Sequence, residues 1–274
     1  RDAFSVSQKR FFSEEVKKHY REQIQKPKVI GDMGISREGT PIFDPNVHGS
    51  LHIWEKPISR EKYVISVDVS EGIPGGDYHS AYVLKRSQVE AVAAMHSLVD
   101  SDELCEQLFR LGHWYNKALI APENNHNPEV CRRLSYHLRY PNLYWHRDVN
   151  TPRARAHRPG WNTNVKTRRE MLDVLRMVTR QRMLKIYDEG FSEEMEDFAW
   201  GVASRKWQAT PGKHDDRLMS MAIGLMLLDL NPYKDRSDRL RPRQEDGFAR
   251  FKEFTEYWKK KSGGNKKSRR LIIG

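Results

Sequence analysis

A chain of 274 residues is long enough for one large α/β domain with appendages, or for one domain plus a small second one. Hydrophobic residues make up 38% and charged residues 31%, and no apolar run reaches the roughly 18–20 residues that a bilayer span needs, so no membrane span is expected. A net charge of +11 and an isoelectric point of 9.6 point to a polyanionic partner, because clustered Lys and Arg release counterions from phosphate backbones.

Arg1 opens the chain without an initiator Met or an apolar leader, which reads as a piece of a longer polypeptide. Cys105 and Cys131 fall within amphipathic helical stretches and are expected to be core thiols, not a disulfide or a zinc site. Residues 1–59 read as a connecting arm: a charged helical segment at 13–26, then a stretch punctuated by Gly, Pro and Asp. Residues 63–70 (YVISVDVS) form a β-branched strand. After the loop EGIPGGDYHS come strands at 81–86 and 89–99, which tight connections join into an antiparallel meander. Leu104, Leu108, Leu111 and Trp114 predict a helix over 102–116, capped by Ser101.

Strand 118–121, helix 128–140 and strand 143–146 then alternate, implying parallel pairing. Next come an amphipathic helix at 167–183, a brief strand at 185–187 and a helix at 192–200 capped by Ser192. A hairpin arm at 201–209 and an apolar helix at 215–228 close a core assigned to 60–232. Residues 233–274 are a basic tail, with seven cations between Lys259 and Arg270.

Asp68 stands in an otherwise apolar strand, where an unpaired carboxylate is expensive to bury. Glu123 repeats the anomaly just after strand 118–121, and Asp215 and Asp216 open the last apolar helix. Taken singly, a strand Asp is commonly a satisfied hydrogen-bonder and a helix-start Asp a cap. Together they can converge if the strands are neighbours and the helix crosses them. Such like charges raise one another's pKa unless cations neutralise them, and oxygen-only ligands select Mg²⁺ or Mn²⁺. Two such ions activate a water and stabilise the leaving oxygen in phosphodiester hydrolysis.

The order of these acids, after three antiparallel strands, a helix, a strand and a later helix, matches the ribonuclease-H-like arrangement. The words Val67-Asp68-Val69-Ser70, Gly75-Gly76-Asp77-Tyr78-His79-Ser80-Ala81, Ala121-Pro122-Glu123-Asn124-Asn125 and Lys213-His214-Asp215-Asp216-Arg217-Leu218 resemble the nuclease motifs of tailed-phage large terminase subunits, over roughly residues 60–230. The resemblance implies a mixed α/β sheet, three antiparallel strands then parallel strands, flanked by helices. It makes Asp68 the ligand bridging two metals, Glu123 the second ligand and Asp216 the third, with Asp215 bound to the second ion directly or through water. Asp77 fits either the outer site or a hairpin turn, and His214 either orients water or phosphate or lies on a surface loop.

The implied activity is cutting of double-stranded DNA with little sequence preference during viral genome packaging. The implied setting is an infected bacterial cytoplasm, beside an ATPase motor domain, a portal protein and a small terminase subunit. No G-x-x-x-x-G-K-[ST] motif occurs, so no ATP hydrolysis is expected of this segment. Candidate DNA contacts are Arg153, Arg155, Arg158, Lys166, Arg168 and Arg169, and, on the hairpin side, Arg205, Lys206 and Lys213 beside Trp207. A solvated basic face accounts for these as well. Two rivals stand beside this reading: a branched-DNA resolvase or transposase-like nuclease of the same fold, and a noncatalytic module that binds DNA or docks on the portal.

Overall fold

Five consecutive residues, 63–67, are buried, and only a strand covered on both faces satisfies such a run. The computed structural model describes residues 10–71, 77–125, 127–147 and 157–230. Before that strand lie α1 (Glu14–Gln23), β1 (Val29–Ile35), β2 (Pro41–Pro45) and β3 (Leu51–Ile53). Then come β4 (Tyr63–Asp68), β5 (His79–Lys85), β6 (Glu90–Ser97), α2 (Ser101–Trp114), β7 (Leu119–Pro122) and α3 (Pro128–Arg132), the last running into a π turn at Arg133–His137. The rest comprises β8 (Trp145–Arg147), β9 (His157–Pro159), α4 (Val165–Arg180), α5 (Glu189–Asp197), β10 (Phe198–Gly201), β11 (Lys206–Ala209) and α6 (Asp216–Leu230).

Seven strands form one sheet in the order β2-β1-β3-β6-β5-β4-β7. The expected meander β4-β5-β6 is antiparallel, with Val67 opposite Ala81 and Tyr82 opposite Ala94. β7 pairs with β4 in parallel. The segment at 29–53 that reads as a connecting arm adds three strands to this sheet, joined by Leu51 opposite Met95. Glycines hide those strands from a pattern reading: Gly31 lies so close to the Asp44 carbonyl that any Cβ would collide with it.

Helices cover both faces. On one, α2 buries Leu104, Leu108 and Leu111 against Ile65, Val67 and Ile120. On the other, α6 packs with α4 over Val64, Tyr82 and Leu84. Close approach of α6 depends on Gly224, where a Cβ would run into Leu84 and the Ser66 hydroxyl, and on Ser220 Oγ donating to the Ser66 carbonyl at 3.1 Å. Among the described residues no helix is long and apolar enough to cross a membrane. Cys105 and Cys131 are buried free thiols.

Several boundaries differ from the sequence pattern. Asp100, not Ser101, caps α2, its carboxylate accepting from the Glu103 amide at 2.8 Å, because it stands one residue earlier and reaches the third turn amide. Ser192 lies buried inside α5, and the helix ends at Asp197 because Phe198–Gly201 pairs with Lys206–Ala209, joining Trp200 to Trp207 across the hairpin. The helix expected over 128–140 is interrupted by the π turn, and of the strand expected at 143–146 Leu143 forms an isolated parallel bridge with Ile120 while Trp145–Arg147 pairs with His157–Pro159 outside the large sheet. The basic tail at 233–274 lies outside the described residues.

Candidate active site

Parallel pairing of β4 with β7 sets Val67 opposite Pro122, so the next residues, Asp68 and Glu123, leave the sheet side by side. The Glu123 amide donates to the Val67 carbonyl at 2.8 Å. Val67 belongs to the core beneath α2, so strand alternation turns Asp68 toward the face that α6 covers. There α6 begins at Asp216, whose Oδ2 accepts from the Tyr78 amide at 3.1 Å. Asp215 is turned toward the hairpin: its Oδ2 accepts from the Ala209 amide at 3.2 Å and lies 3.5 Å from Arg168 Nη2.

The acids feel one another. Burial, followed by the charges of Glu123, Asp216 and Asp215, pushes the Asp68 carboxyl well above the ordinary carboxylate range. Burial pushes Asp216 up to about 6, with Asp77 and Asp215 adding to the effect and the Tyr78 amide opposing it. Asp215 is also raised by burial, against the pull of Arg168. Glu123 and Asp216 are buried, whereas Asp68 is half-buried at the strand's open end.

Asp77 and His214 extend the cluster outward. His214 Nδ1 lies 3.1 Å from Asp77 Oδ1 and 3.9 Å from Asp216 Oδ2, and these three side chains offer ligand atoms within 4.8 Å of one another. Tyr78, stacked on His96 at 4.3 Å, holds the backbone between them and Asp216. Carboxylates converging with so little compensating charge, and one imidazole at their edge, form a donor set that suits a hard divalent cation.

The candidate DNA contacts divide into several groups. Arg153 and Arg155 lie outside the described residues. Arg158, Lys166, Arg169, Arg205 and Lys206 are exposed, and Lys213 is exposed but 3.3 Å from Asp197. Arg168 is committed inward, donating to the Trp207 carbonyl at 3.1 Å as well as facing Asp215. The β8–β9 hairpin abuts Glu123, since the Trp161 amide donates to the Pro122 carbonyl and the Asn124 amide to that of Trp161. The Tyr78 amide and the inward role of Arg168 had no signal in the sequence, because both depend on segments far apart along the chain.

This topology, with acids at the end of the first meander strand, after its parallel neighbour and at the start of the last core helix, defines a ribonuclease-H-like fold. Among solved structures, the chain is similar to the magnesium-bound large terminase nuclease from thermophilic phage G20c, with 12% identity, a TM-score of 0.54, and coverage of 80% of this chain and 97% of that one. It is likewise similar to the large terminase nuclease domain of Thermus phage P74-26, with 15% identity, a TM-score of 0.54, and coverage of 80% and 99%. The G20c nuclease with bound cobalt matches at 12% identity and a TM-score of 0.53, covering 80% of this chain and 97% of that chain. The chain therefore has the fold of large terminase nuclease domains. No family model matches it.

Proposed function

We propose that this chain is a divalent-metal-dependent endonuclease that cuts double-stranded DNA, with little sequence preference, during viral genome packaging. The observation that carries the reading is the convergence of Asp68, Glu123, Asp215 and Asp216 from β4, the end of β7 and the start of α6, with the Asp68, Asp215 and Asp216 carboxyls raised by burial and the charge of their acidic neighbours adding to the effect at Asp68 and Asp216. Folding has assembled a repulsion that is relieved either by protonation or by a ligand of opposite charge. The related nucleases with bound magnesium and cobalt support a divalent cation as that ligand.

In this reading Asp68, Glu123 and Asp216 would hold two divalent ions, with Asp215 as a further candidate ligand, direct or through water. When bound, such ions supply an activated water and stabilise the oxygen that leaves the phosphorus. The protein's own part is positional. The β4–β7 register fixes Asp68 beside Glu123, and the Tyr78 amide and Arg168 orient Asp216 and Asp215. His214 and Asp77 stand at the open rim, where an imidazole can accept a hydrogen bond from water. Exposed Arg158, Lys166, Arg169, Arg205 and Lys206 present cations to a phosphate backbone on either side. The wider assignment, an infected bacterial cytoplasm with an ATPase motor, portal protein and small subunit as companions, rests on the fold likeness and the motif words.

Cleavage of linear duplexes of several sequences, with Mg²⁺ or Mn²⁺ and with excess chelator, tests the reading. Both ions should support cutting, and chelator should abolish it. Failure of every divalent ion would leave a noncatalytic DNA-binding module, and a strong preference for four-way junctions over linear duplex would transfer the assignment to a resolvase.

A further inference from the structure

α6 is a helix whose first turn is capped from outside. Asp215 occupies the position just before it, its carbonyl already accepting from the Met219 amide at 2.9 Å. An Asp there ordinarily turns its own carboxylate back onto the second and third amides of the helix, here those of Arg217 and Leu218. Instead the Asp215 carboxylate accepts from Ala209, and Glu194 of α5 takes the capping task. Glu194 Oε2 accepts from the Arg217 amide at 2.9 Å and from the Leu218 amide at 3.0 Å.

Glu194 is in turn held. Arg217 Nε lies 3.7 Å from Glu194 Oε1, and Arg217 Nη1 is 2.7 Å from Asp188 Oδ2, which also accepts from the Tyr82 hydroxyl at 2.5 Å. Tyr82 is fully buried in β5, so the chain of contacts runs from the sheet to the first turn of α6. The clamp is tightly fitted: a Cβ on Gly190 would sit 2.5 Å from the Arg217 guanidinium. Burial favours protonating Glu194, while the Leu218 amide and the Arg217 guanidinium favour its carboxylate. Its oxygens point at α6 amides and a guanidinium, which distinguishes Glu194 from the metal-facing acids although it stands close to them.

Resting on the nuclease reading, we propose that Glu194 is a positioning residue: by capping α6 in place of Asp215, and held by Arg217, Asp188 and Tyr82, it fixes the first turn of α6, so that Asp216 presents its carboxylate to the metal while Asp215 stays with the Ala209 amide and Arg168. Groups that orient metal ligands from behind typically govern metal affinity by about tenfold to a hundredfold.

The test is calorimetric titration of Mn²⁺ into the DNA-free protein, with thermal unfolding recorded for every variant. Glu194→Ala removes the cap, and Glu194→Asp keeps the charge but falls one methylene short of the amides. Both should weaken Mn²⁺ binding by about tenfold and lower kcat without moving KM for DNA. Glu194→Gln, whose carbonyl oxygen still reaches the Arg217 and Leu218 amides, should bind within about threefold of wild type. A purely structural Glu194 would lower the melting temperature and leave Mn²⁺ affinity unchanged, and that result in a cooperatively melting Ala or Asp variant overturns the proposal. Should the Ala variant not fold, equal affinities of the Asp and Gln variants overturn it as well. If the wild-type protein neither binds Mn²⁺ nor cuts DNA, the nuclease reading fails and the clamp's role with it. If wild type does both while the variants match it, the clamp alone fails.

Discussion

The β4–β5 pair carries buried charge at both of its ends, and the two ends treat it in opposite ways. Where Tyr63 faces Lys85, the Lys85 ammonium lies 2.6 Å from Glu55 and 3.4 Å from Glu90, and Glu90 also accepts from the Tyr187 hydroxyl at 2.7 Å. Burial works against that ammonium, yet the bonds to Glu55 and Glu90 more than offset it, and Lys85 titrates above the ordinary lysine value. Where Asp68 faces Ser80, four carboxylates gather and those with shifted values all move toward protonation. At one end an ammonium sits directly between the carboxylates; at the other, four carboxylates gather with Arg168 beside Asp215 as the nearby cation, and a bound cation would relieve the excess. Buried charge by itself therefore marks no function, whereas its sign imbalance does.

Breaking the unbalanced end should have the largest effect. Asp68→Asn keeps the side chain's size and removes one negative ligand, for an expected loss of cleavage of about a thousandfold, equivalent to about 4 kcal/mol of transition-state stabilisation. The metal-free variant should melt no lower than wild type, because the substitution also removes repulsion. A variant that cuts at the wild-type rate would end the assignment of Asp68. At the balanced end, Lys85→Met should cost about 3 kcal/mol in urea unfolding, since it strands Glu90 without its cation. Its affinity for Mn²⁺ should stay at the wild-type value, and a substantial drop would show that the two ends are not independent.

The unbalanced end also predicts a pH dependence of stability in excess chelator. Asp216 in the folded chain titrates up to about 6, above its ordinary 3.8, so folding favours its protonated form. Stability from this group is fully present below the ordinary value and is lost as pH rises toward and through 6. The difference corresponds to no more than about 3 kcal/mol. Urea unfolding between acid and neutral pH should show the decline in wild type and a flatter profile in Asp216→Asn, and saturating Mn²⁺ should remove it. Parallel profiles for the two proteins would show that Asp216 is not the group responsible.

How far the sequence discloses this comparison depends on whether the cause is local. Asp68 could be singled out because a carboxylate in a β-branched run violates the expected burial of that run, and the meander followed from the same alternation. Asp215 and Asp216 were visible as acids before an apolar helix, but nothing along the chain says which of them caps it. The answer, neither, required Glu194 to arrive from α5. β1–β3 escaped notice because Gly31, required by its close approach to the Asp44 carbonyl, and Gly34 interrupt the apolar alternation of β1. Arg168 looked like one more cation in a basic stretch, and only the fold of the β10–β11 hairpin turns it inward. Periodicity and turn chemistry are readable residue by residue; partners brought together by the tertiary fold are not.

The same distinction between paired and unpaired charge separates neighbouring cations on α4, where the smallest effect is expected. Lys166 and Arg169 are exposed and have no carboxylate partner among the described residues, whereas Arg168, between them in sequence, faces Asp215 at 3.5 Å and donates to the Trp207 carbonyl. A cation that meets a DNA phosphate releases condensed counterions and contributes close to one unit to the slope of log affinity against log salt, while one already neutralised inside the protein contributes little. Fluorescence-anisotropy titration of one duplex at several salt concentrations should therefore give the double variant Lys166→Ala/Arg169→Ala a slope shallower by about one to two units. Arg168→Ala should keep the wild-type slope and instead weaken Mn²⁺ binding through Asp215. If Arg168→Ala flattens the slope as much as the double variant does, its contact with Asp215 yields to DNA, and the basic face of α4 reaches inward to the acids themselves.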